Sequence, residues 1–260
     1  MFNNLREKIR ARALWKHILT RKQRLKYVLY DERVESYVEK FAEGTRVVPA
    51  TDPLVDEQLL AMDRDLQRLP SAFMQVSISQ ARFLQMLVSL LDAQHVLELG
   101  TFRGLSAGFI ASALPSGGKV VTIEKRSQQA AIARDFLDTY INDDVVEKIE
   151  LIESDALIAL KKLREEVFGG QRQPFDLVFI DADKAFIKEY LDIANEIVSP
   201  GGLIAVDNVL FGGAPAYSEL KNKETEAFRK FNQHVMDHYK DRAVLLPAWD
   251  GMMLVRKNKN

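Results

Sequence analysis

The sequence predicts an α/β chain built on a doubly wound, mostly parallel sheet. Three observations carry this prediction. Short apolar runs rich in Val, Ile and Leu alternate with stretches of helical periodicity. Four of these runs close on an acid: Glu98, Glu124, Asp181 and Asp207. The first passes into a glycine turn, Gly100-Thr101-Phe102-Arg103-Gly104, that opens a helix at Leu105-Ser106.

The elements follow in order. Residues 1 to 26 carry nine Lys or Arg against one acid, Glu7. Leu5, Ile9, Ala13, Trp15, Ile18 and Leu19 fall at roughly helical spacing, so this basic extension reads as an amphipathic helix. A solvated or subunit-packed helix, a weak contact with an anionic membrane surface, and a targeting segment all fit it. Residues 27 to 94 read as helices that could pack over the site as a lid. Val34, Val38 and Phe41 mark one, Leu54, Leu59, Leu60, Met62 and Leu66 a second, and Phe83, Leu84, Leu87, Leu90 and Leu91 a third. Residues 95 to 260 form the sheet core. Strands are expected from His95 to Leu99, Lys119 to Glu124, Ile149 to Ile152, Phe175 to Ile180 and Leu203 to Val206. Helices are expected over Ala107 to Leu114, 127 to 140, Phe186 to Val198 and Glu224 to Tyr239. Pro115 to Gly118 and Pro200-Gly201-Gly202 make turns. The tail reads as a hairpin, with Ala243 to Leu246 and Met252 to Val255 around Asp250-Gly251.

Composition narrows the function. An apolar fraction of 47% over 260 residues suits a globular chain with a sizeable core. A net charge of −1 gives no reason to expect nucleic acid as partner. With no cysteine there is no disulfide framework, thiolate metal site or thiol nucleophile, which fits a cytoplasmic protein. No apolar run reaches the ~18 residues of a transmembrane helix.

The turn is not a dinucleotide fingerprint. Phe102 stands where G-x-G-x-x-G has its second glycine, the one that admits a pyrophosphate. Gly100 lets the backbone turn and approach a ligand, and Gly104 places free N–H groups at a helix start. Glu98 would repel phosphate and could hold an ammonium group. Glu124, at the end of the second strand, could accept hydrogen bonds from both hydroxyls of a ribose. Ser154 and Asp155, after the third strand, stand where an adenine amino group could be read.

Asp181, Asp207 and Asn208 are oxygen donors at the ends of two strands that should be neighbours. Such a hard set suits Mg²⁺, or Mn²⁺ or Ca²⁺, rather than zinc. It would leave about three positions for water or substrate oxygens, and two adjacent oxygens could fill two of them. Lys184 could serve as a base if burial and a cation lower its pKa. The four His residues show no catalytic spacing.

These stretches resemble the cation-dependent class I O-methyltransferases, the catechol and caffeoyl-CoA O-methyltransferase group. The resemblance runs from about Tyr37 to Lys257. It is carried by MQVSISQARFLQML, VLELGTFRGLS, KVVTIEK, FDLVFIDADK, PGGLIAVDNVLFGG and WDGMMLVRK, most specifically by FIDADK and DNVL. It implies a Rossmann-like seven-stranded sheet with a reversed last strand, helices on both faces and a homodimer. It implies S-adenosyl-L-methionine as cofactor. Met74, Val76, Glu98, Gly100, Thr101, Phe102, Gly104 and Ser106 would lie at its methionine side, with Asp181 beside them. Glu124 and Lys125 would lie at the ribose, and Asp155 and Ala156 at the adenine. It further implies Asp181, Asp207 and Asn208 as metal ligands, Lys184 as base, and a phenolic or catechol acceptor, free or carrier-linked. Arg103 and Leu105 depart from the Thr and Tyr common in the loop, Ser154 from a Gly, and Phe211 from a Trp. Two other readings stay open at this point: a nicotinamide-dependent oxidoreductase, and a non-enzymatic binder that works through its basic N-terminal helix.

Overall fold

The computed structural model describes residues 32–45 and 53–259. The basic segment 1 to 26, with its membrane-surface reading, lies outside the described residues. In chain order the elements are α1 (Glu32–Glu43), α2 (Pro53–Leu66), a 3-10 turn (Ala72–Met74), α3 (Ile78–Leu90), β1 (His95–Leu99), α4 (Leu105–Ala113), β2 (Lys119–Glu124), α5 (Ser127–Tyr140), α6 (Asp143–Val146) and β3 (Ile149–Glu153). There follow α7 (Ala156–Phe168), β4 (Phe175–Ile180), a 3-10 turn (Lys184–Phe186), α8 (Ile187–Ile197), β5 (Val198–Val206), a 3-10 segment (Phe211–Ala216), α9 (Lys223–His238), β6 (Ala243–Leu246) and β7 (Met252–Arg256).

The seven strands form one sheet in the order β3-β2-β1-β4-β5-β7-β6. β1 to β5 pair in parallel, and β7 runs antiparallel to both β5 and β6. The strand order reverses between β1 and β4. That is the switch point of an open α/β sheet, where a crevice opens outside the strand ends.

Period-two alternation along the strands fills both faces. Leu97, Leu99, Val121, Ile123, Val178 and Ile180 pack on one side against α7, α8 and α9, around Leu160, Tyr190 and Phe228. Val96, Val120, Leu177 and Phe179 pack on the other, against Leu59 and Met62 of α2, Leu84 of α3 and Phe109 of α4. So α2 and α3 are a layer of the core. By contrast α1 turns Tyr37, Val38 and Phe41 outward, the last 64% exposed, so the Val38–Phe41 stripe is not a buried face. No helix among the described residues is long and apolar enough to cross a membrane.

Several helix starts are fixed by their own side chains. Ser77, Asn142, Asp155 and Asn222 each accept a hydrogen bond from a backbone N–H of the turn they cap. α4 is different: its N-cap is Gly104, at φ 86°, with no side chain to cap the first turn. β5 begins at Val198, five residues before the expected Leu203. It pairs Phe175 with Val198 and then Leu177 with Leu203, so the Pro200-Gly201-Gly202 turn is absorbed as an irregularity in the strand.

Candidate active site

β1 ends in Glu98-Leu99 and points Glu98 to the side opposite Leu97 and Leu99, toward α4. Glu98 is fully buried. Its Oε2 accepts a hydrogen bond from the Thr122 hydroxyl at 2.5 Å, and that hydroxyl is in turn 2.6 Å from Thr101 Oγ1. Burial pushes the Glu98 carboxyl up to about 7; Ser106 and Thr122 pull against it, and Asp181 and Glu124 add repulsion. Its Oε1 is buried without a hydrogen-bond partner. A buried, half-satisfied carboxyl suits an incoming cationic donor such as an ammonium.

The turn is tighter than a ligand alone would need. A Cβ on Gly100 would lie 2.1 Å from the Asp181 carbonyl oxygen, at φ 102°. Gly100 is therefore required by the neighbouring strand end; its part in admitting a ligand is secondary. Phe102 holds φ 50° and donates its N–H to Glu124 Oε2 at 2.8 Å. Glu124 Oε1 accepts from the Arg126 N–H at 2.9 Å. Both of its oxygens are thus fixed by backbone before any ribose arrives. Asp155 caps α7 and pairs with Lys125 at 3.0 Å, which holds its carboxyl below the usual range and raises the lysine. Ala156 follows it as the first residue of α7. Val76 is buried while Met74 is 46% exposed.

At the other side of the switch point, β4 and β5 deliver the oxygen donors. Ile180 pairs with Val206, so Asp181 and Asp207 leave adjacent strands together. Lys184 Nζ lies 2.9 Å from Asp181 Oδ1 and 2.8 Å from Asn208 Oδ1. Burial opposes its charge, but Asp181 and Asp207 outweigh that and its pKa ends raised. Burial by itself therefore does not lower this lysine; the neighbouring carboxylates set the direction. Asp207 is buried and its carboxyl is pushed up, first by burial and then by Asp181. Two adjacent carboxylates favour positive charge between them, and an amide oxygen completes a hard donor set. Among the described residues no group of three or more His, Cys, Asp and Glu could hold a metal, so the set stands as two acids and one amide.

Other residues enter this site without a sequence signal of their own. Gln80, one turn into α3, lies against Asp207. Asp250, from the hairpin turn, adds negative potential at Lys184. Its Oδ1 accepts from the Gly212 N–H at 2.5 Å. Trp249 Nε1 donates to Ser79 Oγ at 2.8 Å and ties the hairpin to α3. Phe102, Asn208, Phe211 and Trp249 all have positive φ, as do Ser71 and Asp92 elsewhere, so several strained positions lie around this site. His234 is structural: its Nε2 lies 2.7 Å from Asp192 Oδ1, far along α9 from the site.

A doubly wound sheet that brings a buried acid and a set of oxygen donors to its switch point has the arrangement of a ligand-binding α/β protein. Residues 51–258 match the model of the O-methyltransferase family, and the chain belongs to that family. It is 34% identical over 177 residues to a catechol O-methyltransferase of Niastella koreensis, covering 68% of this chain and 77% of that one. A caffeoyl-CoA O-methyltransferase of Populus kitakamiensis is 34% identical over 168 residues, covering 64% and 68%. The crystal structure of an O-methyltransferase from Bacillus cereus in complex with SAH superposes with a TM-score of 0.67 at 29% identity, over 86% of this chain and 97% of that one. The nicotinamide reading finds no support in these relatives.

Proposed function

We propose that this chain transfers a methyl group from S-adenosylmethionine to one hydroxyl of a vicinal-diol aromatic, free or as a carrier-linked ester, with Mg²⁺ or a similar hard cation. One observation carries the reading: Asp181, Asp207 and Asn208 converge with Lys184 across the switch point from the turn that holds Glu98. The named activities of the Niastella and Populus relatives, and the SAH seated in the Bacillus structure, point the same way.

Bound S-adenosylmethionine would supply an electrophilic methyl group on a sulfonium. Glu98 and Ser106 would hold its amino-acid end, with Val76 and Met74 over the methionine arm. Glu124 would take the ribose hydroxyls, and Asp155 and Ala156 would border the adenine, with Lys125 fixing Asp155. A divalent cation held by Asp181, Asp207 and Asn208 would acidify the acceptor hydroxyl. Lys184 would take the hydroxyl proton as the acceptor oxygen bonds the methyl carbon and the methyl carbon–sulfur bond breaks, leaving the neutral thioether S-adenosylhomocysteine. Most of the rate would come from positioning. Exposed Tyr37, Phe41 and Phe73 offer apolar surface to a second copy of the chain, and sedimentation would test the homodimer.

The deciding experiment titrates catechol into protein loaded with S-adenosylhomocysteine, first with Mg²⁺ and then with chelator. Binding should require the cation. Asp207→Ala should lower Mg²⁺-dependent turnover on the order of a hundredfold or more and leave S-adenosylhomocysteine affinity nearly unchanged. Full activity of that variant in chelator would remove the metal from the proposal.

A further inference from the structure

The stretch from Phe211 to Leu220 has little of its own to hold it. Its 3-10 run, Phe211–Ala216, is kinked at Gly212 and Gly213, includes Pro215 and contains no buried residue. α9 holds it instead. Arg229 Nε donates to the Pro215 carbonyl at 3.2 Å, and Nη2 donates to the carbonyls of Tyr217 at 2.9 Å and Leu220 at 3.2 Å. Nη1 pairs with Glu226, one turn back on α9. One planar fork thereby ties three carbonyls between Pro215 and Leu220, which a single ammonium head could not do in the same geometry. The core does not need the side chain there. The buried residues of α9 are Thr225, Phe228, Phe231 and Val235, and the Arg229 side chain is 31% exposed.

The near end of the same stretch is fixed at the site. Asn232 Nδ2 donates to the Val209 carbonyl at 3.0 Å, next to the oxygen donor Asn208. The Gly212 N–H donates to Asp250, whose charge acts on Lys184. The Phe211 ring stacks on Phe228, with centroids 5.1 Å apart. The stretch therefore starts on the oxygen donors, and Arg229 sets where the rest of it lies. We infer that Arg229 is a positioning residue for the acceptor: it fixes residues 211–220 as a wall of the crevice beside Asp181, Asp207 and Asn208, and that wall selects which of two adjacent hydroxyls receives the methyl group. This rests on the vicinal-diol reading above. A diol whose two oxygens meet the donor set can sit in two orientations, related by a flip of the ring. The donors treat both oxygens alike, so a ring substituent must be sorted by contacts beyond them.

The test offers protocatechuate, an unsymmetrical catechol with two distinguishable monomethyl products, to the Mg²⁺-loaded full chain with S-adenosylmethionine. The unsubstituted protein should favour one product. In Arg229→Gln the product ratio should move at least about threefold toward equality, and hydrogen exchange at the Tyr217 and Leu220 amides should speed roughly tenfold, while S-adenosylhomocysteine affinity changes less than about twofold. A loss of stability alone would lower both products together and leave their ratio. Arg229→Lys keeps the charge beside Glu226 and loses the fork, so its ratio should fall between the two; it also serves if the Gln variant fails to fold. An unchanged or sharpened ratio in the variants, or a near-equal ratio in the unsubstituted protein, overturns the inference and leaves Arg229 as a tie within the chain. If the unsubstituted protein methylates neither hydroxyl, the acceptor reading itself falls, and this inference with it.

Discussion

Glu98 stores, in the free protein, the electrostatic cost that a bound ammonium would relieve. Its carboxyl rises from 4.5 to about 7 on folding, because burial disfavours the charged form. The folded state therefore binds more protons than the unfolded one across that interval. Stability falls as pH rises from about 4.5 to about 7, and the full penalty stands above it. At most it is on the order of 3 kcal/mol. Glu98→Gln should accordingly raise the melting temperature of the ligand-free protein at pH 8, change it little at pH 5, and weaken S-adenosylhomocysteine binding. A variant that melts lower at both pH values would show that the charge is not the issue. Asp181, Asp207 and Asn208 were legible in the sequence because polar residues that directly follow an apolar strand lie at its carboxyl end; Glu98 was legible as an acid inside an otherwise apolar strand. Thr122 and Gln80 were not. A threonine inside a strand and a glutamine inside a helix look like ordinary filler until packing sets them against Glu98 and Asp207. Arg103 could be read only as a departure from a loop pattern; its burial depends on Pro70 and Phe102, which meet it only in three dimensions.

At the scale of elements, α2 and α3 are joined through their cores by one ion pair. Arg82 and Asp56 are each about 5% exposed, and Arg82 also reaches the Ala42 carbonyl in the last turn of α1 and the Gln85 amide oxygen. Such a pair adds little over an apolar one, but breaking it strands a charge. Asp56→Ala should cost about 3–5 kcal/mol in chemical denaturation, while the double change Asp56→Leu with Arg82→Met should cost far less. Comparable losses in the two variants would mean that packing, not the orphaned cation, sets the effect. Most elements were legible because periods of two and 3.6 are written into the residues. β2 and β4 match their expected spans, and α5 matches its own. The misses have local causes. The stretch after Asp181 begins as a 3-10 turn capped by the Asp183 side chain before α8 starts. The segment after Asn208 folds as a kinked 3-10 run because Gly212 and Gly213 both take positive φ. Neither choice has a period to read.

The molecule as a whole places its two candidate ligand regions in different halves of one sheet. The cofactor side is built by β1, β2 and the turn between β1 and α4; the donor set is built by β4 and β5. They meet at a backbone seam, where Asp181 N–H donates to the Leu99 carbonyl at 2.8 Å and Gly100 leaves room for nothing larger than hydrogen against Asp181. This division could be foreseen from the chain order, because strand order reverses where the second βαβ half begins. Donor sets that share only Asp181 across this seam predict nearly independent loading. Each ligand should stabilise the fold by mass action. At a hundred times its dissociation constant S-adenosylhomocysteine would contribute about 2.7 kcal/mol, or about 5–10 °C of melting temperature for a chain of this size. That shift should be nearly the same in chelator as in Mg²⁺, because no residue assigned to the cation other than Asp181 is assigned to the cofactor. Catechol, by contrast, should add a further shift only when both the cofactor product and Mg²⁺ are present, since its oxygens need the donor set and its ring needs the filled crevice. Thermal melts over the eight combinations of the three ligands would decide it. A cofactor shift that vanishes with the chelator would place the cation inside the cofactor site and break the division of the sheet argued here.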